Sequence, residues 1–396
     1  MRFLFYSHDG LGLGHTRRHL AVAAALARLA PESGILLATG AEEILRQGLP
    51  REVETLKLPG LRKEENEQYA ARRLCIPAEE IRSLRSDLLL ATVRSFRPGV
   101  ALVDKHPFGA SGEFRAGLRE LRKQGGRAVL GFRDILDEPG QVRKEWAPYR
   151  MQHRIAKYYT QVLVYGEKAV FDPVSAYGFP ASLEKRTRFC GYVLASESER
   201  SLENFAWPFP PRGQRTRPVV LATTGGGEDG FQTLSDFISA SQGAAWQGVV
   251  VAGPMTPETE LAALEGRARE ASVAFRRYVP HLSALFGELD GLVCMGGYNT
   301  IVEAVAQGVP TVCVPRVRPR VEQLMRAEAF ERLGLLQVCR PEQLSPERLR
   351  SQIAGVLNRC SPEPGAPVQA TLKFDGAERA AEHLLAVAAA PPEAPE

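Results

Sequence analysis

The chain has 396 residues, which is typical of two domains, and its 44% hydrophobic and 24% charged residues are ordinary for a soluble globular protein. Its formal net charge of +4 is too small to argue for nucleic acid, although it is compatible with phosphates or an anionic surface. No apolar run is long enough to span a bilayer, and Met1–Tyr6 does not begin a signal peptide. We therefore expect a cytoplasmic protein.

The cysteines argue against a zinc site or a redox motif. Six cysteines occur, at positions 75, 190, 294, 313, 339 and 360, and none has C-x-x-C spacing. Cys294 and Cys313 lie within apolar runs, which predicts buried thiols in the core. This usage agrees with a reducing compartment.

The first half begins with a strand, a helix and a strand. Residues 2–7 form an apolar run, a helical pattern starts at His15, and residues 34–39 form a second apolar run. Further strands are predicted at 100–104, 127–131, 161–165 and 187–193. Such alternation predicts a parallel, doubly wound α/β sheet.

A glycine loop joins the first strand to the first helix. Its glycines are Gly10, Gly12 and Gly14, a spacing that differs from the dinucleotide fingerprint. His15 stands where a Walker A loop requires lysine. The loop therefore approaches some partner closely, but it carries no nucleotide signature of its own.

Two successive strands deliver charged residues to one edge of the predicted sheet. Asp104 ends the strand at 100–104, and Arg133 and Asp134 follow the strand at 127–131. Open α/β sheets bind ligands at the carboxyl ends of their strands. Because strand ends also carry charges by chance, functional and structural roles both remain open here.

Two charged segments follow different patterns. Residues 60–97 predict amphipathic helices with solvated charges, and residues 145–159 interleave bases with Trp146, Tyr149, Tyr158 and Tyr159. The second pattern can indicate nucleic acid or a membrane surface. We favour an amphipathic helix with its aromatic rings turned inward.

The composition divides the chain. Residues 196–217 are polar and then rich in proline and arginine, which predicts a linker. We therefore expect an N-terminal domain at 1–195 and a C-terminal domain at 218–372. Residues 373–396 should form a helix at 374–387 and a disordered tail from Ala388.

The second half repeats the α/β pattern and has two glycine turns at strand-to-helix junctions. Strands are predicted at 218–223, 249–252, 274–278, 292–295 and 311–315. The turns contain Gly225–Gly227 and Gly296–Gly297, and a glycine turn before a helix suits phosphate. Thr300 and Glu303 have capping-box spacing, which would begin a helix there. A capped helix and a phosphate site are thus both open interpretations of the second turn.

The second half resembles the C-terminal domain of glycosyltransferase family 28, the MurG-like enzymes and a group of bacterial predicted glycosyltransferases. The resemblance rests on four segments in the same order: Gly225–Gly230, Tyr278–Leu282, Gly296–Ala304 and Pro315–Gln323. In the first half, Gly10–His15 resembles the acceptor-side glycine loop that ends in a functional histidine. The resemblance covers about residues 1–40 and 216–340.

This resemblance implies the GT-B fold, in which two Rossmann-like, doubly wound domains face a cleft. It implies a hexosyltransferase that moves a sugar from a nucleotide-sugar donor, with UDP as the expected nucleotide, to a hydroxyl acceptor by inverting displacement. Backbone N–H groups at the glycine turns can hold the diphosphate, so neither a metal nor another cofactor is expected. A related hydrolase or 2-epimerase, and a non-catalytic nucleotide- or membrane-binding protein, are the alternatives.

The resemblance also implies a set of site residues. His15 is the expected base, with Asp104 and Asp134 as alternatives, and Gly12, Gly14 and Arg133 lie on the acceptor side. The expected donor-site residues, including Glu303 at the ribose and Gln323 at the sugar, are Gly225, Gly226, Gly227, Val279, His281, Leu282, Gly296, Gly297, Asn299, Thr300, Glu303, Glu322 and Gln323.

Three departures from the family pattern leave the donor sugar open. Glu228 and Asp229 follow Gly227, where the family has a serine, and Glu322 replaces the first glutamine of a pair. Tyr298 and Asn299 replace small residues. The acids at 228 and 229 would repel a diphosphate unless they point to the acceptor or to a sugar hydroxyl. The acceptor is equally open: a small molecule, a glycan or a lipid-linked group, with peripheral contact at the inner membrane face.

Overall fold

The chain forms two compact α/β units. The computed structural model describes residues 1–7, 14–41, 52–63, 69–195, 207–358 and 372–391. The first unit comprises Met1–Ser196 together with Lys373–Glu396, and the second comprises Glu197–Leu372. None of the helices in these described ranges is both long enough and apolar enough to cross a membrane.

The first unit is built on a parallel sheet. The strands of that sheet are β1 (Arg2–Ser7), β2 (Gly34–Thr39), β3 (Val53–Lys57), β6 (Val100–Asp104), β7 (Arg127–Arg133), β8 (Gln161–Tyr165) and β9 (Thr187–Phe189), and β4 (Leu61–Lys63) and β5 (Tyr69–Ala71) form a separate pair. Its helices, in chain order up to β9, are α1 (Gly14–Leu29), α2 (Ala78–Phe96), α3 (Arg115–Lys123), α4 (Pro139–Trp146), α5 (Met151–Tyr158), α6 (Pro173–Ala176) and α7 (Ala181–Glu184).

The order of the strands in this unit determines which edge of the sheet is suited to bind a ligand. The sheet runs β3-β2-β1-β6-β7-β8-β9, and neighbouring strands are parallel. Successive strands are added on one side of β1 up to β3 and on its other side from β6 onward. The topological switch point therefore lies between β1 and β6, and parallel sheets bind ligands at such a point. Residues 3–6 of β1 are fully buried, as expected for a strand that is covered on both faces.

The second unit has the same plan with six strands. They are β10 (Val219–Thr223), β11 (Gln247–Val251), β12 (Ala274–Arg276), β13 (Gly291–Cys294), β14 (Thr311–Cys313) and β15 (Gln337–Val338). The helices are α8 (Phe231–Ser241), α9 (Glu258–Glu270), α10 (Tyr298–Ala306), α11 (Glu322–Arg332) and α12 (Pro346–Asn358). The parallel order β12-β11-β10-β13-β14-β15 reverses between β10 and β13. Each of these two strands is followed by one of the two glycine turns.

The last helix, α13 (Gly376–Ala389), packs on α1 within the first unit. Val193 and Asp375 form an antiparallel bridge, and the N–H of Tyr192 donates to the Lys373 carbonyl at 2.7 Å. At the other end, Arg127 donates to the carbonyls of Val387 (2.5 Å) and Ala390 (2.8 Å). The helix runs to Ala389, two residues past its expected end, so the prediction of a disordered tail was wrong for Ala388 and Ala389; residues 392–396 of that tail lie outside the described residues.

The segment 60–97 differs from the expected helices. Strands β4 and β5 form an antiparallel hairpin, and only Ala78–Phe96 is helical. Leu61 and Ala71 of the hairpin are buried against Ile81 and Ala110. The prediction of helix over the first part was wrong because inward-facing residues on two three-residue strands give too short a pattern to reveal period two.

The basic, aromatic segment 145–159 is two helices rather than one. A 3₁₀ turn at Ala147–Tyr149 and the left-handed Arg150 (φ 46°) separate α4 from α5. Trp146 stacks on Phe179 with 6.2 Å between ring centroids, and Tyr159 is buried. The inward orientation predicted for the aromatic rings is confirmed for these two residues and is wrong for Tyr149, which is 57% exposed.

The predicted core thiols are also confirmed. Cys294 and Cys313 are fully buried and face each other across the neighbouring strands β13 and β14. Burial, together with the neighbouring thiol, raises the pKa of Cys313, so this thiol is unreactive in the folded protein.

Candidate active site

His15 and Asp104 meet at the switch point of the first unit. His15 is the second residue of α1, which follows β1, and Asp104 is the last residue of β6. His15 Nδ1 lies 2.7 Å from Asp104 Oδ2. Because β1 and β6 are neighbours in the sheet, residues that are far apart in the sequence come together at one edge.

Hydroxyl groups anchor the first turn of α1 to the sheet. Thr16 Oγ1 lies 3.3 Å from Ser7 Oγ at the end of β1 and 3.4 Å from Thr39 Oγ1 at the end of β2. These contacts fix the helix start next to the strands, and hence fix where the imidazole of His15 stands. The His15 side chain is 16% exposed, whereas Asp104 is fully buried.

Arg18 completes this group of charges. Its Nη2 lies 3.0 Å from Asp104 Oδ2 and 2.7 Å from His15 Nδ1. Burial by itself raises the pKa of Asp104, but the charge of Arg18, together with the interaction and hydrogen bond with His15, holds that pKa well below its usual range. Asp104 is therefore a carboxylate at neutral pH.

The other residues predicted on this side have different positions. Arg133 ends β7 in register with Tyr165 of β8, whose ring lies 6.0 Å from the Arg18 guanidinium carbon. Asp134 is buried, and its Oδ1 accepts the N–H of Ile135 at 2.7 Å, which holds the turn after β7. Gly14 is the first residue of α1, and Gly12 lies outside the described residues.

His19 is a buried neighbour that the sequence analysis did not single out. It lies one turn after His15 on α1 and is fully buried, with its ring edge-on to Phe5 at 5.4 Å. Burial lowers the pKa of His19 to about 4, so the ring is neutral at physiological pH. The i, i+4 spacing of the two histidines was the available signal, since it places both on one side of a helix.

The first glycine turn of the second unit packs tightly against the loop after β11. Gly225 and Gly227 adopt left-handed conformations, with φ of 70° and 92°. A Cβ on Gly227 would lie 2.1 Å from Thr256 Oγ1, and the N–H of Met255 donates to the Gly226 carbonyl at 2.9 Å. Glycine is therefore required at this turn by both conformation and space.

The second turn begins α10 earlier than the capping-box spacing predicts. Gly297 is the N-cap and Tyr298 the first helical residue, so Thr300 and Glu303 lie inside the helix. The capping-box interpretation was wrong because glycine, which needs no capping side chain, occupies the N-cap. Glu303 is buried and Asn299 is partly buried in this helix.

Helix α11 supports the second turn from behind. A Cβ on Gly296 would lie 2.6 Å from the Gln323 carbonyl oxygen, and Arg326 Nη1 donates to the Gly296 carbonyl at 2.9 Å. Arg326 is fully buried, and its guanidinium lies 5.7 Å from the centroid of the Tyr298 ring. The larger residue at 298 thus stacks with a cation of α11.

Arg316 joins the acidic residues that depart from the family pattern. Its Nη1 lies 2.9 Å from Asp229 Oδ2, and its Nη2 lies 3.5 Å from Glu322 Oε1. Its own N–H donates to Gln323 Oε1 at 3.2 Å. Burial, and then the charge of Asp229, raises the pKa of Glu228. The acidic loop is therefore partly neutralised by an arginine.

The remaining predicted donor residues follow β12. Val279 is buried, and His281 is left-handed (φ 50°) at the start of the 3₁₀ helix Leu282–Glu288. They lie beyond an edge strand, since β12 is separated from β13 by β11 and β10. Within the described residues, we find no cluster of three histidine, cysteine or acidic side chains arranged to hold a metal ion.

Comparison with known proteins agrees with these features. Residues 224–379 match the glycosyltransferase family 28 C-terminal domain. The chain is 24% identical over 276 residues to the UDP-N-acetylglucosamine–N-acetylmuramyl-(pentapeptide) pyrophosphoryl-undecaprenol N-acetylglucosamine transferase of Corynebacterium efficiens. That alignment covers 66% of this chain and 71% of the relative.

Two solved structures share the fold over nearly the whole chain. The glycosyltransferase SnogD from Streptomyces nogalater superposes with a TM-score of 0.64 at 17% identity, covering 98% of this chain and all of that one (100%). MurG from Acinetobacter baumannii gives a TM-score of 0.62 at 14% identity, covering 97% and 99%. At such identities the likeness establishes the fold.

Two parallel-sheet α/β units, with glycine turns at the switch point of the second, define a GT-B glycosyltransferase that uses a nucleotide-sugar donor. Residues 224–379 match the family 28 C-terminal domain, and the chain as a whole is similar to MurG-like glycosyltransferases. The GT-B fold predicted from the sequence is thus confirmed, and so is the resemblance of the second half to the family 28 C-terminal domain. The comparisons favour the transferase over the hydrolase, the epimerase and the non-catalytic binding protein.

Proposed function

We propose that this glycosyltransferase moves a hexosyl group from a UDP-linked donor, bound by the second unit, to a hydroxyl of an acceptor bound by the first. The observation that carries the proposal is the 2.7 Å contact between His15 and Asp104, because it gives a helix-start histidine the orienting partner of a general base. The UDP-sugar named for the Corynebacterium relative supports the choice of nucleotide.

The donor lies on the two glycine turns. Backbone N–H groups of Gly225–Gly227 and Gly296–Gly297, with the positive end of the α10 dipole, bind the diphosphate and stabilise it as it leaves. Glu303 accepts hydrogen bonds from the ribose hydroxyls, and Glu322 and Gln323 contact the sugar. These groups take the role that a metal ion has in other transferases, so the reaction needs neither a metal nor another cofactor.

His15 acts as the base. We assign the proton on its Nδ1 to the hydrogen bond with Asp104 Oδ2, and Arg18 Nη2 then donates to the same carboxylate oxygen and not to Nδ1. This leaves Nε2 to accept the proton of the acceptor hydroxyl. As that oxygen bonds to the anomeric carbon, the bond from this carbon to the diphosphate oxygen breaks, and the diphosphate leaves with the bonding pair. Asp104 stabilises the imidazolium that forms. A single displacement of this kind inverts the anomeric configuration.

The base role is tested by His15→Ala. The variant should bind UDP like the wild type and lose about 10²- to 10⁴-fold in turnover, the range for removing a general base. His153→Ala, at an exposed histidine of α5, is the matched control and should retain full turnover. Wild-type turnover in His15→Ala would remove His15 from the mechanism.

The ribose role is tested by Glu303→Ala. Losing a hydrogen bond to a charged group should weaken UDP binding by about 1–3 kcal/mol in calorimetry. Unchanged binding in a folded variant would refute the role. Incubation of the wild type with UDP-sugars and no acceptor separates transfer from rival chemistry, because hydrolysis or epimerisation at catalytic rates would contradict a transferase.

The helices α4 and α5 support peripheral contact with an anionic membrane and hence a lipid-linked acceptor. Tyr149 protrudes between them, among the exposed bases Arg143, Lys144, Arg150, Arg154 and Lys157. Each such base near an anionic surface contributes about 1 kcal/mol of attraction. The protein should sediment with vesicles containing phosphatidylglycerol and not with phosphatidylcholine alone. Equal binding to both, or to neither, would contradict the contact.

A further inference from the structure

Arg316 stands across the place where the donor diphosphate is proposed to bind. It follows β14, and its partner Asp229 lies in the loop after β10. Strand β13 lies between β14 and β10 in the sheet. A side chain that joins the loops after β14 and β10 must cross the end of β13, which is where Gly297 begins α10.

The arginine is held in this position from several directions. Its N–H donates to Gln323 Oε1, while its guanidinium contacts Asp229 and Glu322. These contacts engage Nη1 and Nη2 with one carboxylate each, and a guanidinium has five N–H donors in all. The side chain is 28% exposed. It is therefore fixed in direction and still has donors for a ligand.

The acidic residues around Arg316 would repel a diphosphate unless a cation lay among them. Glu228, Asp229 and Glu322 would otherwise place three carboxylates beside a doubly charged diphosphate. The raised pKa of Glu228, caused by burial and by Asp229, indicates that negative charge is already disfavoured here. A planar guanidinium matches the paired oxygens of phosphate and remains charged at every working pH.

We propose that Arg316 binds the donor diphosphate and stabilises its charge as it leaves, with Asp229 and Glu322 holding the guanidinium ready when no donor is bound. The inference rests on the proposed function, which places the diphosphate at the two glycine turns. It adds a cationic ligand to the glycine N–H groups and the helix dipole. Asp229 thus competes with the donor for the arginine.

The test compares UDP with uridine, which lacks the diphosphate. Arg316→Ala should weaken UDP binding at least 10-fold in calorimetry and leave the inhibition constant of uridine, measured by competition, unchanged. Arg316→Lys should lie between, because an ammonium is a point charge that cannot bind two oxygens in parallel. Equal UDP affinity in wild type and Arg316→Ala, or an equal loss for UDP and uridine, would overturn the assignment.

The chain supplies a matched control. Arg277 in the same unit also bridges two carboxylates, Glu258 at 2.8 Å and Glu265 at 3.8 Å, and its side chain is 53% exposed. Arg277→Ala removes the same kind of bridge away from the glycine turns and should leave UDP binding unchanged. A similar loss in both alanine variants would assign the effect to general charge and overturn the inference.

A second variant tests the competition and does not depend on the folding of Arg316→Ala. Asp229→Asn releases Arg316 and should tighten UDP binding several-fold, and Arg316→Ala in the same chain should abolish that gain. Weaker or unchanged UDP binding in Asp229→Asn would contradict the proposal. Failure of the wild type to bind any nucleoside diphosphate would overturn the proposed donor site together with this inference, whereas the variant results above affect Arg316 alone.

Discussion

Two histidines one turn apart on α1 show how strongly surroundings decide the properties of a residue. His15 contacts Asp104 and Arg18 and is partly exposed. His19 is sealed against Phe5, and in the described part of the chain its ring nitrogens have no hydrogen-bond partner. The first is suited to proton transfer, and the second is a neutral core residue.

His19 should make the stability of the first unit depend on pH. Its pKa is about 4 in the folded protein and about 6.5 unfolded, so below pH 6.5 the unfolded chain binds a proton that the folded chain refuses. The free energy of unfolding should therefore fall by about 3 kcal/mol between pH 6.5 and 4. Urea unfolding across this range would measure it.

His19→Leu is the companion variant for that measurement. It keeps an apolar side chain against Phe5 and removes the titrating group, so the acid loss of stability should shrink by the same amount. The same pH dependence in variant and wild type would show that other groups cause it.

Asp104→Asn should lower both stability and turnover. The substitution removes the Asp104 charge that pairs with buried Arg18, and breaking a buried pair lowers the free energy of unfolding by about 3–5 kcal/mol. It also removes the charge that orients His15, so turnover should fall. Because the folded pKa of Asp104 is depressed, its contribution is complete above about pH 4 and is lost as the pH falls through the folded value. Asp87→Asn, at an exposed acid of α2, should change neither in denaturation and activity assays.

The sequence placed His15, Asp104 and Asp134 at strand and helix ends but offered them as alternatives. The structure brings the first two together, because β6 is inserted beside β1 in the sheet, and sequence spacing does not encode that order. Arg316 had no distinguishing signal, since it was one of several bases in a loop. Its contact with Asp229 depends on the separation of β14 and β10 across β13.

At the scale of elements, Arg127 secures the end of α13. Its guanidinium donates to the carbonyls of Val387, Ala390 and Pro391, which have no partners further along the helix. Arg127→Ala should lower the free energy of unfolding by about 1.5–3 kcal/mol, the range for hydrogen bonds to a charged group. Hydrogen exchange should become faster for amides in the last turn of α13.

An exposed ion pair between α1 and α13 provides the control. Arg28 and Glu378 are 2.7 Å apart, with both side chains about half exposed. Arg28→Ala should change stability by less than about 1 kcal/mol, because water screens such pairs. A larger loss for Arg28→Ala than for Arg127→Ala would contradict this ranking.

Buried parallel strands were the elements that the sequence predicted best. The bounds of β1, β2 and β6 agree with the predictions, because each is a continuous apolar run between turn residues. The β4–β5 hairpin was missed, since each strand has only three residues and Arg62 and Lys63 follow Leu61. The break between α4 and α5 was missed because Arg150 adopts a left-handed conformation that its type does not favour.

At the scale of the whole molecule, the two units should respond separately to loss of the last helix. Deleting Lys373–Glu396 removes α13 from α1 but leaves both glycine turns intact. The transition that UDP shifts upward in calorimetry should persist, because ligand stabilises the unit that binds it, while the other transition falls or vanishes. Loss of UDP binding on truncation would show that the donor site depends on the first unit.

The apolar face of α13 could be predicted from its spacing, but the surface that it covers could not. Ala377, Ala380, Ala381 and Leu384 repeat with helical period and are buried. Such a pattern predicts that one face of the helix is buried, but it does not identify the surface on which that face packs. The family resemblance supplied the two-unit plan that these local patterns lack.

The second unit is an insertion in the sequence of the first, and the bridge between Val193 and Asp375 holds together the two points at which the insertion begins and ends. The chain leaves the first unit just after this bridge and returns just before it, so both ends of the insertion start from one point. Replacing the second unit by a short linker from Ala195 to Leu372 should therefore leave the sheet of the first unit undisturbed. In evolution, the same arrangement would allow one inserted unit to be exchanged for another while the first unit is kept.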